Sequence, residues 1–172
     1  MKDMIETNRL LIKPLSSDEL RRHIEDPNGL AADMELTPSI SLSEREALEA
    51  IQNDLLPNLI DPDKDSYFYT MWIVIEKSKK AIIGGICFHG EPDDNGEVEI
   101  GYGTDKNYMN KGYMTETING IIQWLKNNKK ARIIKAVTDS SNISSLKMLE
   151  KNGFKISGQN ENALILKLNL NE

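Results

Sequence analysis

A mixed α/β sheet in one domain is the fold this sequence predicts, and three observations predict it. Val98, Ile100 and Tyr102 alternate with Glu97, Glu99 and Gly101, the period-2 mark of a strand with two unlike faces. Met114, Ile118, Ile121, Ile122 and Leu125 then recur at spacings of three and four, an apolar stripe along a helix. Residues 132–138 (RIIKAVT) form a further strand, and a helix joining two strands makes the pair parallel, a βαβ unit. Residues 96–127 are the stretch about which the rest of the chain is arranged.

The elements follow in order. Residues 9–15 (RLLIKPL) read as a first strand closed by Pro14, and Ser16, Ser17, Asp18 and Glu19 supply N-cap candidates for a short helix. Asp26-Pro27-Asn28-Gly29 stops it near Glu25, and residues 30–42 carry no assignable pattern. Ser43 to Glu46 resembles a capping box, and Ala47, Leu48, Ile51 and Leu55 keep helical spacing until Pro57 ends the run. Residues 67–76 (YFYTMWIVIE) are aromatic and β-branched, hence a strand, and 81–89 (AIIGGICFH) a second one paired with it as a hairpin. Gly84-Gly85 inside that strand marks a bulge or a close backbone approach. A turn at 91–96 leads into the strand already described, completing a meander. Residues 142–152 form a short helix, Gly153 fits the left-handed position after it with Phe154 packing back, and 154–157 with 163–168 close the chain as a hairpin. The predicted order is β-α-α-β-β-β-α-β-α-β-β.

Composition limits the function. A chain of 172 residues suits one domain, residues 1–172, with a proper core. A net charge of −6 argues against nonspecific nucleic-acid binding, which needs clustered Lys and Arg. Cys87 is the only cysteine, so no intrachain disulfide or Cys-based zinc site forms, and no metal is expected. The N-terminus carries Asp3 and Glu6 and lacks an apolar run, and no stretch approaches a membrane span. A soluble cytoplasmic protein, monomer or homodimer, without nucleic-acid or membrane partners is the expectation.

Between strand and helix, residues 105–113 are polar and hold Lys111-Gly112. A glycine-bearing loop entering a helix N-terminus offers free N–H groups and the positive dipole end, which together bind phosphate. Two familiar phosphate motifs are excluded. Gly101-x-Gly103 begins a dinucleotide pattern, but Lys106 stands where its last glycine belongs, and Lys111-Gly112 has the wrong order for a Walker A loop.

Four pieces of sequence in register resemble the GNAT-superfamily N-acetyltransferases of the RimJ/RimL type. They are ETNRLLIKPL at residues 6–15, EVEIGY at 97–102, YMNKGYM at 108–114 with its helix, and NISS at 142–145 with KNGF at 151–154. The resemblance implies a GNAT-like sheet whose central strands splay around an acyl-CoA site, with acetyl-CoA as cosubstrate. The loop Met109, Asn110, Lys111, Gly112, Tyr113 and Met114 would hold its pyrophosphate. The family's Gln/Arg-x-x-Gly-x-Gly/Ala pattern falls on Met109, Gly112 and Met114, so this chain departs from it at two of three positions. Pantetheine would lie along Tyr102, Gly103 and Thr104. Asn142 would stand near the pantetheine arm and Ser145 near the thioester sulfur.

Acetyl transfer to an amine needs a neutral amine, a polarised carbonyl and a steadied thiolate. Glu97 and Glu99 share one strand face, where two poorly hydrated carboxylates raise each other's proton affinity. Glu99 matches the family strand best as general base or amine anchor, with Glu97 in reserve; the other reading is a pair of solvated acids. Ser145 is either the hydroxyl beside the leaving sulfur or a first-turn helix residue, and Asn142 either a pantetheine contact or an N-cap. His89 ends a strand and reaches toward a cleft or is structural. His23 sits on a surface helix, Cys87 is a buried inert thiol, and Lys77, Lys79 and Lys80 form a solvated turn. Tyr67, Tyr69 and Trp72 are core and edge aromatics. The expected function is acetyl transfer to a primary amine, on a small molecule or a protein N-terminus, by direct attack in a ternary complex. The alternative is an acyl-CoA-binding module without turnover.

Overall fold

The computed structural model describes residues 3–171. Its sheet comprises β1 (Ile5–Glu6), β2 (Leu10–Pro14), β3 (Met71–Glu76), β4 (Ala81–Phe88), β5 (Glu97–Thr104), β6 (Ile133–Asp139), β7 (Lys155–Asn160) and β8 (Ala163–Asn169). Laterally they lie in the order β1-β2-β3-β4-β5-β6-β8-β7. Every neighbouring pair is antiparallel except β5 and β6, the parallel join expected from the helix between them.

Helices cover both faces, but not equally. α5 (Tyr113–Asn128) and α6 (Ile143–Lys151) pack one face, where Ile118, Ile121, Leu125 and Leu149 meet Trp72, Val98, Ile100 and Ile134. On the other face α1 (Ser17–Glu25), α2 (Pro27–Asp33) and the segment α3 (Arg45–Ala50) to α4 (Leu56–Leu59) bury Leu20, Leu30, Ile51 and Leu59 against Ile73, Ile75 and Ile82. That second layer lies over β2–β4. β3 is therefore buried on both faces, which is why its sequence reads as a continuous apolar run. The α1–α4 core takes in none of β5–β8, and β5 alternates buried with partly exposed residues over Glu97 to Ile100.

Several local expectations change. β1 is two residues long, too short to show a period. Asp26-Pro27 does not merely stop a helix: Asp26 ends α1 and caps α2, its carboxylate accepting from Gly29 N–H at 2.9 Å, with Pro27 in the first turn, where its missing N–H costs nothing. The capping box forms at Ser16 and Glu19, not at Ser43, whose hydroxyl donates to the Ser39 carbonyl at 2.6 Å while Glu44 takes the N-cap place. Pro57 does not end its helix, because Ile51–Leu55 widens into a π turn just before it and shifts the carbonyl register the ring would strike. Tyr67 and Phe68 leave the predicted strand for a 3-10 turn, Ser66–Phe68, which places both in an aromatic cluster with Trp72, Phe88 and Trp124. Gly153 and Phe154 behave as expected: their N–H groups donate to Glu150 and Leu149 carbonyls at 2.9 and 3.1 Å, a Schellman ending.

His23, expected at the surface, is buried under the 3-10 turn Ser41–Ser43. Its Nε2 lies 3.0 Å from the Leu42 carbonyl, which can only accept, so Nε2 carries the proton. Nδ1 is buried without a partner. Burial holds the imidazole below its ordinary value of 6.5, the Leu42 bond opposing only in part. The folded state then binds fewer protons than the unfolded one, so stability falls as pH drops through the unfolded value and levels off below the folded one. We expect the melting temperature to fall between pH 7.5 and about pH 5.5, and the fall to be smaller in His23→Gln, whose amide donates to Leu42 without titrating; equal slopes in thermal melts would refute this.

Candidate active site

The site begins where two strands part. β5 pairs with β6 from Glu97↔Ile133 to Ile100↔Ala136, and with β4 from Ile100↔Phe88 to Thr104↔Gly84. Past Ile100 the parallel ladder stops, so Gly101, Tyr102, Gly103 and Thr104 keep β4 on one edge and no strand on the other. Their backbone groups on that edge are free to bond an extended ligand arm. β4 and β5 lie close enough here that a Cβ on Gly84 would stand 2.2 Å from the Gly103 carbonyl oxygen, the close approach expected of Gly84-Gly85. Above Gly103 lies open space, with nothing within 4 Å of an added Cβ.

The loop from the strand end to α5 runs into a helix N-terminus whose backbone N–H groups could hold an anion. Gly112 takes the N-cap at φ 77°, a left-handed conformation that Asn110 also adopts at φ 58°. With no side chain bonded at the cap, the N–H groups of the first turn, at Tyr113, Met114 and Thr115, stay available. The loop is pinned from three sides. Glu116 accepts from Thr7 Oγ1 at 2.6 Å, Arg9 N at 2.8 Å and Arg9 Nε at 2.7 Å, and Arg9 also donates to the Lys111 carbonyl at 2.9 Å while lying 4.4 Å over the Tyr113 ring. Burial pushes the Glu116 carboxyl up, but these donors outweigh it and hold it below its usual range. Asp105, buried just past β5, accepts from Ser39, Ile40 and Ser41 and fastens the loop start to the α1–α4 layer. Asn110 Oδ1 accepts from Ser144 of α6 at 3.0 Å.

The predicted loop residues divide by role. Met109 exposes its side chain, whereas Met114 packs partly buried against the core. Tyr113 is buried, its ring tilted 59° to that of Tyr108 with centroids 6.1 Å apart, and offers only backbone. The Lys111 ammonium bonds the Asn107 carbonyl at 2.7 Å.

The two faces of the cleft carry different chemistry. On the helix side Ser145 Oγ is 2.7 Å from Tyr102 Oη, and Asn142 Oδ1 accepts from Ser145 N at 3.1 Å as the N-cap of α6. Burial keeps the Tyr102 phenol above its ordinary value, the Ser145 bond notwithstanding, so the pair is a proton-bearing hydroxyl couple. On the opposite face Glu99 Oε2 lies 2.6 Å from Lys135 Nζ on β6 and Oε1 lies 3.1 Å from His89 Nδ1. Glu97 bonds Lys167 at 2.5 Å, beside the closed part of the ladder and one strand repeat short of the splay. The two glutamates were expected to raise each other's proton affinity; the structure shows the reverse for Glu99. Its burial pushes the carboxyl up, but the Lys135 hydrogen bond and charge, with His89, hold it below the usual range.

Sequence reasoning missed Lys135, the Tyr102 hydroxyl, Asp105 and Glu116. Arg9 lay within a quoted stretch of the resemblance, and its guanidinium could have been asked for a carboxylate partner. The others meet their partners only through tertiary contacts: Lys135 across the strand pair, Tyr102 through α6, Asp105 through residues 39–41, and Glu116 through Thr7 and Arg9. Cys87, expected to be buried, is partly exposed, yet desolvation pushes its thiol up to about 11, away from the reactive thiolate form. Among the described residues no cluster of His, Cys, Asp or Glu is placed to hold a metal, and no helix is long and apolar enough to cross a membrane.

Comparison with known proteins bears on this architecture. Over 86 residues the chain is 38% identical to the Bacillus subtilis (strain 168) protein named Uncharacterized N-acetyltransferase YjdG, a match spanning 50% of this chain and 51% of that one. The fold superimposes on the ribosomal-protein-S5-alanine acetyltransferase of Vibrio fischeri with a TM-score of 0.70 at 18% identity, covering 99% of this chain and 98% of that one. It superimposes on RimL, a ribosomal L7/L12 alpha-N-protein acetyltransferase solved with coenzyme A, with a TM-score of 0.68 at 13% identity over 97% of this chain and 98% of that one. These two likenesses establish the fold, the splayed sheet included. The model of the acetyltransferase (GNAT) domain matches residues 9–155, a span from the arginine that pins the loop to the start of the last hairpin, and the chain belongs to the GNAT acetyltransferase family.

Proposed function

We propose that this protein transfers the acetyl group of acetyl-CoA to a primary amine by direct attack in a ternary complex. One observation carries the reading: the gap between β5 and β6 opens on a hydroxyl pair on one face and an ionised carboxylate on the other, with the N-terminus of α5 at its end. The N–H groups of Tyr113, Met114 and Thr115 would take the pyrophosphate, and the free edge of Tyr102 to Thr104 the pantetheine. A backbone N–H of that edge steadies the oxyanion. Ser145, backed by Tyr102, donates a hydrogen bond to the departing sulfur. Glu99, kept charged, holds an ammonium-bearing acceptor at the uncovered face; Glu97, tied to Lys167 beside the closed ladder, is left out of the chemistry. The acceptor is a small amine or a protein N-terminus; the ribosomal-protein acetyltransferases that share the fold make the latter a first choice for assay.

Incubation with acetyl-CoA and a panel of amines and N-terminal peptides, reading free thiol, tests this. Glu99→Gln should lower kcat/KM by about 100-fold or more with acetyl-CoA binding unchanged by calorimetry. Saturable acetyl-CoA binding without thiol release from any acceptor would leave the acyl-CoA-binding module as the function.

A further inference from the structure

We infer that His89 is the base of the transfer reaction and that Glu99, which holds the acceptor ammonium, also orients it. The inference rests on the proposed acetyl transfer. His89 immediately follows β4, and its main chain still follows the ladder, its N–H donating to the Glu99 carbonyl at 2.9 Å. Its side chain stands on the uncovered face with Glu99, Nδ1 3.1 Å from Glu99 Oε1. An ionised carboxylate can only accept, so Nδ1 carries a proton, and in the neutral ring Nε2 holds the lone pair. The ring lies directly over Gly101, where an added Cβ would come within 2.7 Å of Nε2. Gly101 is the first residue of β5 beyond the closed ladder, so the lone pair stands at the mouth of the gap. A glycine at this point is what lets the imidazole reach it.

Glu99 is less suited to take the proton itself. Both its oxygens are engaged, one by Lys135 and one by His89, and both partners favour the charged form. The same contact fixes the orientation of the ring, the role an acid plays behind a histidine in a catalytic triad. The charged groups around the ring are Glu99 on β5 and, behind it, Lys135 on β6, with the Cys87 sulfur near the same Gly101 position on β4.

The step balances. The acceptor ammonium gives one proton to Nε2, and its freed lone pair forms the C–N bond at the thioester carbonyl. Collapse of the adduct breaks C–S, the electron pair leaving on sulfur, where it meets the Ser145 hydrogen bond. The second nitrogen proton passes to solvent as the adduct collapses, the thiolate takes a proton from solvent, and the half-exposed imidazolium returns its own to solvent.

The test uses His89→Gln and His89→Ala in the full chain. kcat/KM for the best amine should fall about 100- to 1000-fold in both, with the Kd for acetyl-CoA unchanged. Added imidazole should restore turnover to His89→Ala, and the acid limb of the wild-type kcat/KM profile should vanish in His89→Gln. Turnover in His89→Gln within about threefold of wild type would overturn the inference while acetyl transfer stands. So would a loss that imidazole does not rescue and that keeps the wild-type acid limb, since His89 would then only support Glu99. A wild-type protein that binds acetyl-CoA and acetylates nothing fails at the first measurement, and takes the inference and the proposed function together.

Discussion

Gly84→Ala lowers the unfolding free energy by about 3 kcal/mol or more and weakens acetyl-CoA binding in the same variant. The added methyl would sit 2.2 Å from the Gly103 carbonyl oxygen and 3.0 Å from Thr104 Cα, both main-chain atoms of β5. Neither can rotate aside as a side chain would, so β4 and β5 must separate where β5 offers its free edge to the ligand. Gly103→Ala is the matching control, because nothing lies within 4 Å of its added methyl; its stability should stay within about 0.5 kcal/mol of wild type. Urea unfolding of both variants, with calorimetry of acetyl-CoA binding, gives the answer. Equal stabilities would show that the strands have room to spare.

Asp105→Asn should cost a comparable amount, about 3 kcal/mol, and raise the KM for acetyl-CoA. The carboxylate is nearly inaccessible and accepts on both oxygens: Oδ1 from Ser39 Oγ at 2.8 Å, Ser41 N at 3.0 Å and the Ser41 hydroxyl, and Oδ2 from Ile40 N at 2.9 Å. An amide in its place turns an N–H₂ toward one of these donors whichever way it is flipped. Burial pushes the carboxyl up, yet the Ser41, Ile40 and Ser39 donors together hold it below its ordinary value of 3.8. Its folded value being the lower, the stabilisation is present above the unfolded value and is lost as pH falls through the folded one. The wild type should therefore lose stability into the acid range where Asp105→Asn no longer does, as urea midpoints at pH 7 and about pH 3 would show. The effect on KM follows from position: Asp105 is the hinge between β5 and the loop that enters α5.

Much of the fold could be read from local patterns. The two-faced β5, the α5 stripe, the parallel join and the Schellman ending at Gly153 all express periods of two or 3.6, or a glycine where a left-handed residue is needed, and all appear where expected. What failed were boundaries settled by neighbours. Pro57 stays inside its helix because of the π turn before it, and Ser43 abandons its cap for the Ser39 carbonyl. His23 goes inward because the turn Ser41–Ser43, at the end of the stretch 30–42 that carried no pattern, folds over it.

The candidate site divides the same way. The sequence by itself determined the glycine turn into α5, the face shared by Glu97 and Glu99, and the helix-capping pair Asn142 and Ser145, since each depends on residues within a few positions of one another. Only the tertiary structure decided the rest. Glu99 meets Lys135 because the parallel register sets them opposite each other, Tyr102 meets Ser145 because α6 returns over β5, and His89 stands over Gly101 because β4 and β5 are in one register. A shift of one residue in either ladder would turn these side chains to the opposite face, and the register is held by the whole buried core rather than by any local signal.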